Sequence, residues 1–132
     1  MKLRIRGNTI RIRVSQTEMT EIVVTGLVQD FVEFGPGSRL SYRVEVAPKG
    51  TISASYEGSC VSVVLTQDAV ERWQSPDEIS IKGEQPLSGG GNLKILVEKD
   101  FACLSPREEA EDGDGDGDGD GDLFPNPDQI ES

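Results

Sequence analysis

The sequence predicts a mainly β fold, in which two ββαββ units with two short helices close into a small pseudo-symmetric barrel. Three observations predict it. Apolar residues alternate with polar ones at a period of two, which is typical of strands. Two of the alternating segments contain a two-residue turn that begins with glycine. Each of these two segments then runs into a helix-start signal.

The first alternating segment, MKLRIRGNTIRIRV, predicts a β-hairpin at the start of the chain. Gly7 and Asn8 form its two-residue turn, and the leading glycine suits a type II′ geometry. That turn sets a register in which Ile5 faces Ile10. The apolar side chains then share one face, so the turn and the alternation predict the same pairing.

The same plan recurs 51 residues later, where ISASYEGSCVSVVLTQ repeats MKLRIRGNTIRIRVSQ. Gly58 and Ser59 take the place of the first turn. Ser15 and Glu18 have the spacing of a capping box, and Thr66 is the predicted N-cap of a second helix. We expect each helix to make about two turns.

Two further strands follow each helix, so the repeat halves span about 1–47 and 51–100. One unit exposes an apolar sheet face that it cannot bury alone, and the halves are therefore expected to close on each other. The helices are expected to bury their apolar side chains, which are Met19, Ile22, Val23, Val70 and Trp73.

The formal net charge of −11 is concentrated near the C-terminus. Residues 1–100 carry 12 Lys+Arg against 13 Asp+Glu, whereas residues 101–132 carry Arg107 against 11 acidic residues. This predicts a barrel-like domain over 1–104 and an acidic, Asp-Gly-rich disordered tail over 105–132. No register of the Asp-Gly run supplies the Glu that ends an EF-hand loop, so no calcium site is predicted.

The composition also removes several kinds of chemistry. The chain has no histidine, the commonest general base and transition-metal ligand. Cys60 and Cys103 lie far apart without a CxxC spacing and are expected to be thiols. Glu98, Lys99 and Asp100 form a charged cluster at a strand end, which we expect to be solvated or paired. We expect a cytoplasmic protein without a membrane span, catalytic residues, cofactor or metal.

Four arginines at alternate positions of the first hairpin are the candidate site, and they are Arg4, Arg6, Arg11 and Arg13. The predicted register places Arg4 directly opposite Arg11, and like charges in that position are destabilising. The second hairpin has mostly small, uncharged residues at the matching positions. The fold itself therefore does not require the arginines.

Three interpretations of the arginines are open. In the first, they lie on a solvated face and pair with acids of adjoining strands, such as Asp30, Glu33 or Glu45. In the second, they bind an anionic partner, either nucleic acid or an acidic protein, although no aromatic residue is interleaved for base stacking. In the third, the acidic tail lies on them and competes with any external polyanion.

The half-unit resembles in topology the swapped-hairpin barrels of AbrB-type transcription regulators and antitoxins. Those proteins are usually homodimers of one ββαββ unit that bind DNA through basic strands and loops, so the resemblance implies a fused dimer here. They usually have a proline between the second strand and the helix, where this chain has Ser15 and Thr66. A double-psi or related cradle-loop barrel also fits the pattern.

Three segments, MKLRIRGNTIRIR, LKILVEKDFACL and the closing FPNP, resemble a family of small bacterial proteins known only as a domain of unknown function. This resemblance spans nearly the whole chain. It implies a bacterial cytoplasmic protein of similar fold and supplies no activity, substrate or site residues.

Together these observations predict a non-catalytic binding module, a monomer or dimer, that uses the arginine-bearing face of the first hairpin. One alternative is a nucleic-acid-binding barrel that uses the same face. Another is a small-ligand protein or enzyme with a cleft between the two halves.

Overall fold

The structure, a computed structural model, describes residues 1–101 and Phe124. The helices are α1 (Gln16–Thr25) and α2 (Gln67–Trp73). The strands are β1 (Lys2–Arg6), β2 (Thr9–Val14), β3 (Leu27–Gly35), β4 (Ser38–Ala47), β5 (Ser53–Glu57), β6 (Cys60–Thr66), β7 (Ser80–Pro86) and β8 (Asn92–Lys99). This order is two ββαββ units in tandem, as predicted. Cys103 and the predicted disordered tail, apart from Phe124, lie outside the described residues.

The strands form two four-stranded sheets. Sheet A has the order β1-β2-β8-β7, and sheet B has the order β3-β4-β6-β5. Each sheet therefore contains one hairpin from each half of the chain, and the two hairpins join through a parallel pair, β2 with β8 or β4 with β6. Exchanging the two halves maps one sheet onto the other, so the repeat in the sequence is present in the strand pairing.

The closed barrel is not confirmed, because no strand ladder joins sheet A to sheet B within residues 1–101. Side chains bridge the two sheets at one junction, between β5 and β7. There Gln85 Oε1 accepts a hydrogen bond from the backbone N–H of Ala54 at 2.8 Å. The side chain of Ile52 packs directly against Gly83 at the same junction.

Both N-terminal hairpins of the halves have the predicted register. Arg4 lies opposite Arg11 in the first hairpin. Gly7 has a φ of +56°, as the first central residue of a type II′ turn requires. In the second hairpin both Gly58 and Ser59 have positive φ, +56° and +59°, which is the type I′ pattern.

Side-chain caps start both helices where the sequence predicts. Ser15 Oγ accepts from the N–H of Glu18 at 3.3 Å, and Glu18 Oε1 accepts from the N–H of Ser15 at 2.9 Å. Thr66 Oγ1 accepts from the N–H of Ala69 at 3.2 Å. α1 is longer than expected, with ten residues, and ends at Gly26 in the left-handed conformation.

The core lies between the inner faces of the sheets and under the helices. Trp73 is 1% exposed, and its indole N–H donates to the carbonyl of Ile79 at 3.1 Å. The prediction that Val23 turns inward was wrong, since it is 41% exposed. Met19 and Ile22 form the buried stripe of α1, and Val23 lies on its flank in the last turn. The other fully buried large residues are Ile12, Val14, Val44, Val63, Leu65, Ile95 and Val97.

Candidate functional site

The four candidate arginines lie on one surface, the outer face of sheet A. Successive side chains of a strand point to opposite faces. Ile12 and Val14 of β2 are fully buried, so Arg11 and Arg13 point outward. The antiparallel register places β1 residues of the same parity beside them, including Arg4 opposite Arg11.

The register across the sheet adds basic residues that the sequence analysis missed. Thr9 lies opposite Lys94 on β8, and Leu96 lies opposite Lys82 on β7. Both lysines therefore share the outer face with the arginines. The alternation of residues within β7 and β8 already shows on which face of its strand each lysine lies. The pairing of β2 with β8 is needed to place both lysines beside the first hairpin.

The outer face of sheet A is strongly asymmetric in charge. The four strands of sheet A carry on it seven cations against the two carboxylates Glu84 and Glu98, a net charge of +5, and Asp100 just beyond β8 pairs with one of these cations, Lys2. We call this surface the basic face, and its cations are Lys2, Arg4, Arg6, Arg11, Arg13, Lys82 and Lys94. The whole chain, by contrast, has a net charge of −11.

Glu98 holds two of the arginines. One of its carboxylate oxygens, Oε1, accepts from Arg11 Nε at 2.7 Å and from Arg13 Nε at 2.8 Å. The Glu98 side chain is 12% exposed, so water screens these contacts little. Glu98 therefore takes the part that the sequence analysis suggested for Asp30, Glu33 or Glu45. That suggestion was wrong because Asp30, Glu33 and Glu45 belong to sheet B.

Few carboxylates neutralise the other cations of the basic face. Lys2 Nζ lies 3.1 Å from Asp100 Oδ2. Within the described part of the chain, no ion pair is formed by four of the cations, which are Arg4, Arg6, Lys82 and Lys94. Arg4 and Arg6 are also exposed. These charges are available to a ligand.

A shallow depression of about 450 Å³ lies at the β7/β8 side of the basic face. Its lining is mostly apolar, and the residues that contribute to it include Leu96, Lys82 and Lys94. Thr9 and Glu84 supply polar groups at the same place. The depression can take an apolar side chain whose neighbours are anionic.

The charged cluster at the end of β8 does not act as one group. Lys99 is buried; its Nζ donates to the carbonyl of Ser75 at 3.0 Å and lies 5.4 Å from the centre of the Phe124 ring. Burial lowers the pKa of the Lys99 amine, and the nearby carboxylate of Glu78 opposes that shift. Glu98 points to the outer face and pairs with Arg11 and Arg13, so within the described residues it forms no ion pair with Lys99.

Phe124 packs against the end of β8 rather than near the arginines. Its backbone N–H donates to the carbonyl of Asp100 at 2.9 Å, and its ring meets that of Phe101 edge-on with centroids 6.2 Å apart. A second depression of about 360 Å³ lies between this ring and α1, where Met19 and Val23 contribute apolar surface.

Two absences concern only the part of the chain that the structure describes. No cluster of three or more His, Cys, Asp or Glu residues there is arranged to hold a metal ion. No helix there has the length and apolar character needed to cross a membrane. Cys60 is a half-buried free thiol on the outer face of sheet B, and its sulfur lies 3.9 Å from Ser62 Oγ.

The protein is therefore a small β domain of two sheets, with an internal repeat and a basic outer face on sheet A. The chain belongs to a family of unknown function, DUF7009, whose sequence model matches residues 1–128. This confirms the resemblance to a domain of unknown function. No curated protein and no solved structure was found to be similar to the chain.

Proposed function

We propose that this protein is a non-catalytic binding module whose basic face takes an acidic segment of a partner protein. The observation that carries the proposal is the excess of seven cations over two carboxylates on one face of sheet A. Arg4 and Arg11 stand directly opposite each other, which costs stability, and Glu98 compensates Arg11 but not Arg4. A bound carboxylate-rich segment supplies an anion to Arg4.

The corresponding face of sheet B supports this proposal. The positions equivalent to Arg4 and Arg11 are Ser55 and Ser62, which lie opposite each other in the second hairpin. The inner faces of both sheets are apolar, while the outer faces differ. The cations are therefore not a requirement of the fold, and a ligand gives them a role.

The form of the basic face favours an acidic protein segment over a nucleic acid. Leu96 gives the depression an apolar lining between Lys82 and Lys94, which suits an apolar side chain flanked by carboxylates. No aromatic residue lies on the four strands' outer face for bases to stack on. The net charge of −11 also repels a long polyanion, whereas a short segment is governed by the charges within about 8–10 Å of it.

Nucleic-acid binding is the second candidate, and the strand topology favours it. Each sheet combines whole hairpins from the two halves, an arrangement similar to that of swapped-hairpin proteins. The resemblance to AbrB-type barrels implies DNA binding through basic strands. A duplex contacted through its phosphates needs no stacking, and its affinity falls steeply with salt.

Fluorescence anisotropy tests the proposal with two labelled probes, a peptide of alternating Glu and Leu and a short DNA duplex of similar charge. We expect the peptide to bind more tightly at about 150 mM salt. The double variant Arg4→Ser, Arg11→Ser should weaken binding by tenfold or more. The matched control is Lys49→Ser with Arg72→Ser, which removes the same charge from exposed positions off the basic face.

The outcomes separate the candidates. Equal losses in the two double variants would show that only net charge matters and would contradict the proposal. Tighter, strongly salt-dependent binding of the duplex would favour the nucleic-acid candidate. Replacing the six Asp residues of 112–122 by Asn in the full chain removes negative charge and should tighten binding of either probe.

A further inference from the structure

Exposed apolar side chains are concentrated in one segment of the molecule. Ten large apolar residues are exposed in the described part of the chain, and six of them lie between Val23 and Phe34. We call these six the β3 surface, and they are Val23, Val24, Leu27, Phe31, Val32 and Phe34. Leu27 and Phe31 lie on one face of β3, and Val32 and Phe34 lie on the other, so both sides of this segment expose apolar side chains. A concentration of exposed apolar residues is typical of an interaction site.

The β3 surface follows the free edge of a sheet. β3 is the outermost strand of sheet B and has nine residues. The carbonyl of Gly26 accepts from Val46 of β4, so the amides of alternate residues from Leu27 onward point to the free edge. Those residues are Leu27, Gln29, Phe31 and Glu33. An edge of this kind is a template for pairing with another strand.

Side chains of the same chain already form hydrogen bonds with some of the backbone groups at this edge. Thr25 Oγ1 accepts from the N–H of Leu27 at 3.3 Å and donates to its carbonyl at 3.0 Å. Asp30 Oδ1 accepts from the N–H of Phe31 at 2.8 Å. These are local side-chain bonds that an incoming strand can replace, and Gln29 and Glu33 have no such cap within the described residues.

The edges of sheet A are protected differently. β7 carries Lys82 and Pro86, and β1 carries arginines, all of which discourage strand addition. β3 has neither lysine, arginine nor proline. β5, the other edge strand of sheet B, also lacks them, but it has only five residues and is bonded to β7 through Gln85. The edge of β3 is thus a long one with apolar side chains and without these devices.

We propose that β3 pairs antiparallel with β3 of a second copy of this chain, about a two-fold axis at Phe31. In this register Phe31 faces its own copy, and Gln29 faces Glu33. On the other side of the strand Val28 faces Phe34, and Asp30 faces Val32. Aromatic and aliphatic side chains then meet across the axis, as stable cross-strand pairs require.

Charge selects this register among the symmetric ones. β3 carries two carboxylates, Asp30 and Glu33, and no cation. Moving the axis by half a residue would set outward-pointing amides opposite amides that already point to β4, so hydrogen bonding excludes such registers. Moving the axis to Asp30 sets that carboxylate opposite its copy. An axis at Val32 puts Phe31 opposite Glu33. Only the axis at Phe31 keeps carboxylates apart while pairing the aromatic rings.

The oligomeric state tests the proposal. Light scattering on the full chain at about 100 μM and moderate salt should give the mass of two chains. Phe31→Lys places like charges opposite each other at the axis and should give one chain. Tyr56→Lys is the matched control, because Tyr56 is a more exposed aromatic on the other edge strand of sheet B, and it should stay dimeric.

Disulfide trapping tests the register. In a background where Cys60 and Cys103 are Ser, Phe31→Cys should cross-link on oxidation, because facing Cα atoms of such a pair lie about 5.5 Å apart. Phe34→Cys should not, because its two copies are roughly 20 Å apart along the strands. A monomeric wild-type chain, a Tyr56→Lys monomer, or equal trapping at both positions would overturn the proposal. These experiments do not involve the basic face, so their failure leaves the proposed function standing.

Discussion

Sheets A and B have equivalent strand orders and nearly the same inner faces, yet their outer faces differ in charge. The outer face of sheet A carries seven cations and two carboxylates, whereas that of sheet B carries the cations Arg39 and Arg43 against Glu33, Glu45 and Glu57. Burial of the inner faces supplies the folding energy common to both sheets. The difference shows that the outer faces are free to take separate roles, a basic face on one sheet and an apolar edge on the other.

The junction of β5 with β7 depends on a glycine that the other half of the chain lacks. At the β5/β7 junction Gly83 leaves room for Ile52, and Gln85 bonds to the backbone of Ala54. The position equivalent to Gly83 in the other half is Asp30, which points to the free edge of β3 and caps the N–H of Phe31. The glycine thus belongs to a close approach that its repeat counterpart does not make.

The largest effect we expect on stability comes from Gly83→Ala. A Cβ at this position would lie 2.6 Å from Ile52 Cγ2 and 2.9 Å from Ile52 Cβ. Overpacking of this kind costs about 1–3 kcal/mol in the free energy of unfolding. Urea denaturation followed by the fluorescence of Trp73 measures it.

The control for this prediction is Gly89→Ala, since nothing lies within 4 Å of a Cβ there. The double variant Gly83→Ala with Ile52→Ala should be less destabilised than the two single effects added, because the clash is gone. Full additivity would show that Ile52 moves aside freely and that the junction is loose.

The hairpins and helix caps could be predicted from the sequence, whereas the junction of β5 with β7 could not. The registers at Gly7 and Gly58 follow from short turns and alternation, and both predictions were confirmed. The capping residues Ser15 and Thr66 were likewise predicted, because caps act within four residues. The approach of Gly83 to Ile52 depends on how distant strands meet, which no local pattern contains.

A smaller effect on stability should distinguish two glutamates that occupy equivalent positions in the two halves of the chain. Glu98 on β8 accepts from two arginines of the neighbouring strand, whereas Glu45 on β4 pairs at 3.0 Å with Arg43 of its own strand. Glu98→Gln leaves Arg11 and Arg13 without a carboxylate between them. We expect a loss of about 1–2 kcal/mol in the free energy of unfolding.

Glu45→Gln is the matched control, and its pair is more than a third exposed on both sides. Exposed pairs contribute little, so we expect a loss below about 0.5 kcal/mol. Urea denaturation at low and high salt distinguishes the two, and the Glu98→Gln deficit should shrink as salt screens the arginines. Equal losses would mean that Glu98 does not organise the basic face.

The candidate site was only half predictable for a related reason. Alternation places Arg4, Arg6, Arg11 and Arg13 on one face of the first hairpin, and the structure confirms their shared parity. It does not reveal which strand lies next to β2. The contributions of Glu98, Lys82 and Lys94 depend on the parallel pairing of β2 with β8, whose paired residues are more than eighty positions apart in the sequence.

The smallest expected effect distinguishes the two tyrosines of sheet B by pH. Tyr42 is buried, whereas Tyr56 is 64% exposed. Burial raises the pKa of the Tyr42 hydroxyl above its usual value of 10.0, and the carboxylates of Asp30 and Glu18 add to the shift. The unfolded chain then releases a proton near pH 10 that the native chain keeps. The free energy of unfolding should therefore fall as pH rises from about 10 toward the native pKa.

Comparison with Tyr42→Phe isolates this dependence. Burial lowers the pKa of Lys99, so that amine acts in the opposite direction, with stability rising over the same alkaline range. Because Lys99 is present in both proteins, the difference between wild type and Tyr42→Phe contains Tyr42 alone. That difference should be constant below about pH 9 and should change above pH 10. If the alkaline change is the same in wild type and in Tyr42→Phe, Tyr42 is not the group linked to folding.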